Sequence, residues 1–476
     1  MARKMDAVKM MAVFFFVLLS CHRAEQPAFT QKPQVTADLA EIRERGVLNA
    51  LVDNNSVSYF IYRGQPMGYE YELLKRFCQY LKVQLKITVI SGVEEAIDRL
   101  NKGEGDLIAF PLTITRERKK YIDFTDAHFT TSQVLVQRKP DNWRENPTQA
   151  ERQMIRNPVE LIGKEVHVMR QSAFKDRLEN LSNEIGGEIL IVEDSATAET
   201  ESLIRKVATG EIDYTVTDQT LAMVNATYYP NLDVTMVLSL PQQIAWAVRK
   251  NSQQLLAAAN QWLTQVKKNG ILRIIHEKYF NSPRTSLARM SSDYSSLKGG
   301  KLSQYDDLIK EGAETLGWDW RLLAAIISRE SNFNPQAESW AGAIGLMQLM
   351  PGTGDQFDVD NLYSPAQNIK AGVLFLKHLD ELWAKTITDP HERLKFVLAS
   401  YNVGLSHVVD ARNLARKYGA DPTLWDNNVE YYLLQKSKPQ FYRDPEVAAG
   451  YCRCEGPVNY VKAVLNRYEE YKIHIK

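Results

Sequence analysis

The hydrophobic pattern of the chain changes at a Ser- and Gly-rich stretch, residues 281–304, and this change constrains the fold more than any other feature. Before it, short runs rich in β-branched residues alternate with helical stretches, which is typical of α/β domains with largely parallel sheets. After it, apolar residues recur with helical spacing and strand signals almost disappear. We therefore predict an α/β domain, a linker and a second, mostly α domain.

The strands of the first domain are predicted from short apolar runs bounded by polar or turn residues. These runs are 83–90, 107–111, 134–137, 165–169, 189–192, 214–217 and 244–248.

The composition excludes several classes of protein. The 58 Lys and Arg residues balance the 58 Asp and Glu residues, whereas a general nucleic-acid binder carries a basic excess, so no nucleic-acid partner is expected. Four cysteines in 476 residues are too few for a disulfide scaffold. Nothing in the sequence calls for a metal or an organic cofactor.

The N-terminus has the pattern of a secretory signal peptide. Basic residues precede an apolar run from Met10 to Leu19, which is shorter than the roughly 20 residues needed to span a bilayer. The run ends at Leu18-Leu19-Ser20-Cys21 and resembles a bacterial lipobox, so we expect lipidation of Cys21; an ordinary signal peptide with an incidental cysteine is the alternative. His22 rather than Asp after the cysteine favours an outer-membrane lipoprotein that faces the periplasm. Residues 22–40 are predicted to be a tether.

The remaining cysteines allow two interpretations. Cys78 shares a helix face with Leu74 and Leu81, so it is predicted to lie in the core. Cys452 and Cys454 form a C-x-C pair, which leaves a tight disulfide or a metal site open.

Three segments of the first domain resemble the solute-binding proteins of family 3, the amino-acid-binding proteins of bacterial transporters. They are residues 66–73 (PMGYEYEL), 105–125 (GDLIAFPLTITRERKKYIDFT) and 210–218 (GEIDYTVTD). The resemblance implies a two-lobed, periplasmic-binding-protein-like α/β domain that closes around a ligand. Its lobes are expected to share two hinge strands, which leave lobe one near Val136 and return near Ala245.

The same resemblance implies a ligand site between the lobes. The guanidinium of Arg118 is expected to hold a ligand carboxylate, because its planar fork can donate two parallel hydrogen bonds. Thr113 matches a hydroxyl position, and Asp218 matches the acid that meets a ligand ammonium. Ser172 falls near a helix start that suits an anion, although Gln171 replaces the usual glycine. The ligand is expected to be a cell-wall peptide or an amino acid.

In the second domain, residues 320–331 predict a helix with one carboxyl group on its apolar face. Ile326 and Ile327 lie four and three positions before Glu330 and therefore share its face. Burial without a cationic partner raises the pKa of a carboxyl group, which suits a general acid at neutral pH.

Three segments around and after this helix resemble the lytic transglycosylase family, which has a lysozyme-like fold. They are residues 330–335 (ESNFNP), 342–351 (GAIGLMQLMP) and 399–404 (ASYNVG), with Ser400 where alanine is usual. The resemblance implies cleavage of the MurNAc–GlcNAc β-1,4 bond of peptidoglycan without water, which leaves 1,6-anhydro-MurNAc ends. The order of the two domains is similar to that of the membrane-bound lytic murein transglycosylases.

The resemblance also implies roles for individual residues. Glu330 is expected to act as acid and then as base, and Tyr401 to hydrogen-bond it. Met347 is expected to form an apolar wall of the cleft, with a plain core position as the alternative, and Asn402 to bind substrate or cap a turn. The full set of expected substrate-binding residues is Ser339, Met347, Gln348, Tyr401, Asn402 and Tyr460, while Gly345 and Gly404 are expected to allow close backbone approach.

Two other functions remain open from the sequence. A lysozyme-type hydrolase would need a second carboxylate, and the candidates are Asp355, Asp358 and Asp360. A catalytically inactive wall-sensing lipoprotein is the other alternative. The predicted organisation is a signal peptide over 1–21, a tether over 22–40, a binding-protein-like domain over 41–282, a linker over 283–304 and a lysozyme-like domain over 305–476.

Overall fold

The computed structural model describes residues 32–170, 172–194 and 200–475. The predicted signal peptide and Cys21 lie outside the described residues, as does most of the tether. Within the described part, no helix combines the length and the apolar character needed to cross a membrane. The described chain forms an α/β domain followed by a mostly helical domain, as the hydrophobic pattern predicts, and the α/β domain has the two lobes that the resemblance implies.

Lobe one is built mainly from the first third of the chain. Its helix α1 is capped by Asp38, whose carboxylate accepts a hydrogen bond from a backbone N–H of the first turn. The carboxylate of Glu41 in turn accepts from the backbone N–H of Asp38. Its elements are α1 (Leu39–Arg45), β1 (Val47–Val52), β2 (Phe60–Tyr62), β3 (Gln65–Met67), α2 (Tyr69–Leu81), β4 (Gln84–Val89), α3 (Val93–Lys102), β5 (Leu107–Thr113), β6 (Ile122–Phe124) and β7 (Phe129–Thr131).

Lobe two follows without interruption and is a smaller α/β unit. Its elements are β8 (Gln133–Arg138), α4 (Pro147–Gln153), β9 (Glu165–Met169), α5 (Ala173–Ile185), β10 (Leu190–Asp194), α6 (Thr200–Thr209), β11 (Tyr214–Asp218), α7 (Gln219–Tyr228) and β12 (Leu232–Asp233). The chain then returns to lobe one through β13 (Gln242–Arg249), α8 (Gln253–Lys268) and α9 (Ile271–Phe280).

The main sheet of each lobe has three neighbouring parallel strands on one side and antiparallel strands on the other, and lobe one also contains the β2–β3 hairpin. The order in lobe one is β4-β1-β5-β13-β6, with β7 also paired to β13, and the order in lobe two is β10-β9-β11-β8-β12. The pairs β4/β1, β1/β5, β10/β9 and β9/β11 are parallel. The antiparallel strands are those that carry the chain between the lobes, together with short strands at the edges.

The crossings between the lobes lie earlier than the sequence predicts. β7 belongs to the sheet of lobe one and β8 to that of lobe two, so the first crossing is at Ser132 rather than near Val136. The return lies between Leu238, which pairs with lobe two, and Gln242, where β13 begins, rather than near Ala245. The apolar runs mark buried strand interiors, whereas the crossings, at Ser132 and at residues 239–241, lie outside those runs and are too short to form a pattern.

The stretch predicted as a linker is folded rather than extended. It contains α10 (Pro283–Ser291), which packs against α7 of lobe two. Residues 294–296 then lie along β2: the backbone N–H of Ser296 donates to the carbonyl of Ile61 (2.9 Å), and the N–H of Arg63 donates to that of Tyr294 (2.7 Å). The side chains of Ser295 and Leu302 are fully buried.

The second domain is helical, and its described residues contain isolated bridges but no strand. Its α-helices are α11 (Asp306–Leu316), α12 (Trp320–Ser331), α13 (Pro351–Gln356), α14 (Pro365–Ala384), α15 (Pro390–Val403), α16 (Leu405–Lys417), α17 (Glu430–Gln435), α18 (Pro439–Tyr442) and α19 (Glu455–His474). Helix α12 is enclosed, since α11 and α19 pack against it and every side chain from Leu322 to Ser328 is buried.

The cysteines occupy two kinds of position. Cys78 is buried in α2, as predicted, and burial raises the pKa of its thiol to about 12. Cys452 and Cys454 are joined in a disulfide just before α19, which selects the first of the two alternatives left open by the sequence.

A single apolar cluster runs through both domains. It joins lobe-one residues such as Phe60 to Leu302 of the connecting segment and to the α12 residues Ile326 and Ile327. Because interdomain motion is expected only where few apolar contacts cross a boundary, lobe one and the helical domain behave as one packed body. Lobe two has separate clusters of its own.

Candidate active site

Glu330 lies in the last turn of α12, where the helix leaves the core. The helix begins at Asp319, whose carboxylate accepts from the N–H of Arg321, and it ends at Asn332 in the left-handed conformation. The seven residues from Leu322 to Ser328 are buried, whereas Glu330 is only partly covered. The apolar helix thus holds one carboxyl group at the boundary between core and solvent.

The carboxyl group of Glu330 has one neutral hydrogen-bond donor. The hydroxyl of Tyr460, which is buried on α19, donates to its Oε1 at 2.6 Å. Burial raises the pKa of Glu330 to about 7, although the Tyr460 hydrogen bond and the charge of Arg329 oppose the rise. A carboxyl group with this pKa can give and take a proton at neutral pH.

The tyrosine that bonds Glu330 is not the one expected from the resemblance. The hydroxyl of Tyr401 donates to the main-chain carbonyl of Met347 at 2.7 Å, so Tyr460 makes the hydrogen bond expected of Tyr401. Tyr401 still lies near Glu330: burial raises the pKa of the Tyr401 hydroxyl, and the negative charge of Glu330 adds to the rise. Its hydroxyl oxygen keeps acceptor capacity while its proton is used.

The loop over residues 337–349 forms a wall beside Glu330. It is tied to α12 where the hydroxyl of Ser331 donates to the carbonyl of Leu346 (2.8 Å). The amide Nε2 of Gln348 donates to the carbonyls of Ala337 (3.1 Å) and Gly345 (2.9 Å). Both amide donors are therefore used within the loop, which leaves the Oε1 atom of Gln348 as its free polar group.

The remaining residues of this loop differ in what they offer a substrate. Ser339 is half-buried, and its hydroxyl accepts from the N–H of Ala343 at 2.9 Å. Met347 is fully buried, so its side chain takes the core alternative rather than an open wall of the cleft, and it contributes its carbonyl instead. At Gly345 an added Cβ would lie 2.4 Å from the carbonyl of Leu362, which confirms the close approach predicted there.

Two predicted positions at the end of α15 lie further out. Asn402 is exposed in the last turn of the helix. Gly404 has φ +93° with nothing within 4 Å of an added Cβ, so a left-handed backbone explains this glycine, and close approach does not.

The acids proposed for a hydrolase do not act on Glu330. Asp355, Asp358 and Asp360 are all exposed, and the interactions that shift the pKa of Glu330 among the described residues come from Tyr460 and Arg329. The site thus contains one carboxyl group of raised pKa rather than an interacting pair.

The four ligand-binding candidates of the first domain line one cavity between the lobes. Thr113 ends β5 and Arg118 follows it in lobe one, whereas Ser172 precedes α5 and Asp218 ends β11 in lobe two. The cavity has a volume of about 380 Å³. It lies beyond the carboxyl ends of the parallel strands, where open α/β sheets bind ligands.

The polar atoms of this cavity are set for a ligand that carries both charges. Burial lowers the pKa of Arg118 to about 10, and its Nη1 donates to the carbonyl of Thr113 at 3.0 Å. Burial raises the pKa of Asp218 to about 7, against the attraction of Arg118. Oδ1 of Asp218 and the hydroxyls of Ser172 and Thr217 are buried without a partner. Such atoms are costly unless a bound group satisfies them.

Sequence reasoning missed the residues that dock the two domains. The turn of the β2–β3 hairpin places Arg63 and Gly64 in left-handed conformations. The carbonyl of Gly64 accepts from Tyr471 (2.5 Å) and from Nη1 of Arg467 (3.0 Å), both on α19. Nε2 of Gln65 donates to the hydroxyl of Ser328 on α12 at 2.9 Å. No local pattern could reveal these contacts, because their partners are hundreds of positions apart.

Comparison with known proteins agrees with both halves of this description. The family "Bacterial extracellular solute-binding proteins, family 3" matches residues 48–282, and the family "Transglycosylase SLT domain" matches residues 307–423. Tyr460 lies beyond the second match.

Relatives extend the similarity to nearly the whole chain. A protein of Desulfosudis oleivorans, named membrane-bound lytic murein transglycosylase F, is 35% identical over 437 residues, which cover 90% of this chain and 91% of that protein. A protein of Stutzerimonas stutzeri with the same name is 32% identical over 476 residues, covering 98% and 91%.

Solved structures resemble the first domain. An ancestral amino acid-binding protein, a precursor of cyclohexadienyl dehydratase, has 25% identity and a TM-score of 0.43, covering 51% of this chain and 98% of that one. An ancestral arginine-binding protein bound to arginine has 24% identity and a TM-score of 0.42, covering 50% and 99%.

The two tyrosines near Glu330 should differ in their effect on its titration. The Tyr460 hydrogen bond lowers the pKa of Glu330, so Tyr460→Phe should move the alkaline limb of kcat/KM upward by about 0.5 to 1 pH unit. Tyr401→Phe should leave that limb in place, because its hydroxyl donates to Met347. A pH profile on soluble peptidoglycan strands measures both, and a limb moved by Tyr401→Phe alone would contradict the geometry.

The buried carboxyl group should also make stability depend on pH. Its folded pKa of about 7 exceeds the ordinary 4.5, so its contribution is complete below pH 4.5 and is lost as the pH rises through 7. Glu330→Gln removes this loss. Its free energy of unfolding relative to the parent chain should therefore rise by about 2 kcal/mol between pH 5 and pH 8 in urea titrations. The exposed Glu311→Gln is the control, and an equal response of both variants would contradict the burial argument.

Proposed function

The chain belongs to the membrane-bound lytic murein transglycosylase F family, and on this premise we propose how its residues act. The protein is a peptidoglycan lytic transglycosylase with a solute-binding-protein-like first domain. The observation that carries the proposed mechanism is the single carboxyl group of Glu330, partly buried, with a pKa raised to about 7 and a tyrosine hydroxyl as its partner.

Glu330 performs both proton transfers of the reaction. In its neutral form it donates a proton to the glycosidic oxygen as the bond from that oxygen to C1 of MurNAc breaks. The resulting carboxylate then takes the proton of the MurNAc 6-hydroxyl as that oxygen bonds to C1. The products are a GlcNAc end with a free hydroxyl and a 1,6-anhydro-MurNAc end. An internal nucleophile removes the need for the second carboxylate of ordinary glycosidases.

The surrounding groups position the sugar and the acid. Tyr460 orients the carboxyl group of Glu330 through its hydrogen bond. The free Oε1 of Gln348 and the hydroxyl of Ser339 face the substrate from the 337–349 loop, and Asn402 binds it from the end of α15. Tyr401 supports the wall through the Met347 carbonyl.

The protein acts in the cell envelope, where peptidoglycan lies. A lipid on Cys21 holds it at the outer membrane, facing the periplasm. The support for this anchor is the lipobox-like sequence Leu18-Leu19-Ser20-Cys21 and the following His22.

The cavity between the lobes binds an amino acid or a wall-derived peptide. Arg118 holds the ligand carboxylate beside Thr113, and Asp218 with Ser172 meets the ammonium end from the other lobe. The support is the pair of opposite charges on facing lobes, together with the unpartnered buried atoms of Asp218 and Ser172.

This ligand biases the catalytic domain through the β2–β3 hairpin. Ser56, just before the hairpin, donates hydrogen bonds from its N–H and its hydroxyl to Glu201 of lobe two. Closure of the lobes therefore moves a partner of this segment. At the tip, an added Cβ on Gly64 would lie 2.3 Å from the ring of Phe333, three residues after Glu330. The hairpin therefore connects the ligand cavity to the catalytic helix.

Product analysis tests the mechanism. Peptidoglycan treated with the purified protein should give muropeptides lighter by one water than hydrolytic products, as measured by mass spectrometry. Glu330→Gln should lose activity by at least about 10²-fold, whereas Glu311→Gln should retain it. Hydrated products would instead assign a hydrolase and require a second carboxylate.

Uncoupling variants test the role of the hairpin. A ligand is first identified by thermal shift from free amino acids and wall-derived peptides, with Arg118→Ala as the non-binding control. That ligand should change the cleavage rate of the parent chain, and Gly64→Ala should abolish the change, because its Cβ displaces Phe333. Gly46→Ala has similar backbone strain (φ +71°) with nothing within 4 Å and should behave like the parent. A ligand that binds without altering the parent rate would refute the proposal.

A further inference from the structure

Trp340 is the most exposed large apolar side chain of the described residues, at 101% relative exposure. Isolated exposed apolar residues are common on protein surfaces. A tryptophan with no cover is informative because of its large apolar area, which water solvates poorly. Trp340 directly follows Ser339, which lies in the wall of the active site, so a ligand at Glu330 can be considered as its partner.

The turn that presents Trp340 is held by its own hydrogen bonds. The N–H of Gly342 donates to the carbonyl of Ser339 (2.9 Å), and the N–H of Ser339 donates to that of Ala343 (2.9 Å). The hydroxyl of Ser339 accepts from the N–H of Ala343 (2.9 Å), and Glu338 is bridged to Ile344. The indole is therefore displayed from a fixed backbone.

The same loop forms the wall beside the catalytic acid. Its second half carries Gln348, whose amide donates to the carbonyl of Ala337, and Leu346, whose carbonyl accepts from the hydroxyl of Ser331 next to Glu330. A second exposed aromatic residue stands nearby, since the hydroxyl of Tyr363 donates to Glu338. Trp340 thus projects from the loop that forms the wall beside Glu330.

We propose that Trp340 forms an outer sugar subsite, where its indole stacks on a pyranose ring of the glycan strand beyond the two sugars that flank the broken bond. The inference rests on the proposed function, because the occupant is the strand cleaved at Glu330. The glycan chain is a repeat of pyranose rings with apolar C–H faces, which match a flat indole. A polymeric substrate extends past the reacting sugars on both sides, so it can reach an exposed ring on this loop.

Substrate length distinguishes this subsite from a structural role. With the full chain, Trp340→Ala should raise KM for long glycan strands about tenfold, which corresponds to one good stacking contact, with kcat unchanged. A MurNAc–GlcNAc disaccharide, which fills only the two subsites that flank the broken bond, should be cleaved by this variant as well as by the parent chain. Trp340→Phe should recover part of the loss, and Ile274→Ala, which removes a side chain 66% exposed on α9, should have no effect.

A binding measurement separates this inference from the catalytic mechanism. In the Glu330→Gln chain, long glycan strands should change the tryptophan fluorescence, and Trp340→Phe in that background should remove most of the change. This result requires no turnover, so it stands or falls independently of the reaction products.

Three outcomes would overturn the subsite. Equal losses on long and short substrates would assign Trp340 a structural role. Unchanged KM and unchanged fluorescence would show that the strand does not reach the ring. Loss of binding to phosphatidylethanolamine–phosphatidylglycerol vesicles, with cleavage of long strands intact, would make Trp340 a membrane contact instead.

Discussion

The site depends on the burial of α12, which leaves one carboxyl group at the edge of an apolar helix. Leu323 to Ile327 are wholly buried between neighbouring helices, so the position of Glu330 is fixed by packing rather than by ion pairs. Desolvation then raises its pKa to about 7, which is the property that the reaction needs. The packing that stabilises the domain also prepares its acid, because a more exposed glutamate would be ionised at neutral pH.

One helix serves both the acid and the interface between the domains. Near its start, α19 supplies Tyr460 to Glu330, and near its end it supplies Arg467 and Tyr471 to the carbonyl of Gly64. Eleven residues separate Tyr460 from Tyr471, which is roughly 16 Å along a helix. Since α12 contacts the same hairpin through Ser328, both elements that hold the acid also rest on the first domain. A shift of the hairpin would therefore act on both.

The sequence predicts those features that depend on local pattern. The strand runs, the helix of Glu330 and the change of pattern near residue 281 follow from hydrophobic period, and the motif resemblance singles out Glu330 and Tyr460, which the structure joins by a hydrogen bond. The choice of Tyr460 over Tyr401 as the partner of Glu330 could not be predicted, because it depends on where α19 docks. The crossing at Ser132 and the folded linker were missed for a related reason. The two crossings are too short to show a period, and the Ser- and Gly-rich stretch is ordered by contacts with α7 and β2.

Two routes lead from the ligand cavity to the hairpin, and they meet there. The first runs along the chain from Ser56, which holds Glu201 of lobe two. The second starts at Asp218, where α7 begins; α7 packs against α10, and α10 leads to residues 294–296, which lie along β2. Lobe one shares its core with the catalytic domain, whereas most of the apolar core of lobe two forms separate clusters and only Val224 of its helix α7, among its fully buried described residues, joins the shared one. The proposed ligand draws Asp218 towards Arg118, so its binding moves α7 and Glu201 together. Both routes therefore end at the β2–β3 hairpin, whose turn residue Gly64 lies against Phe333.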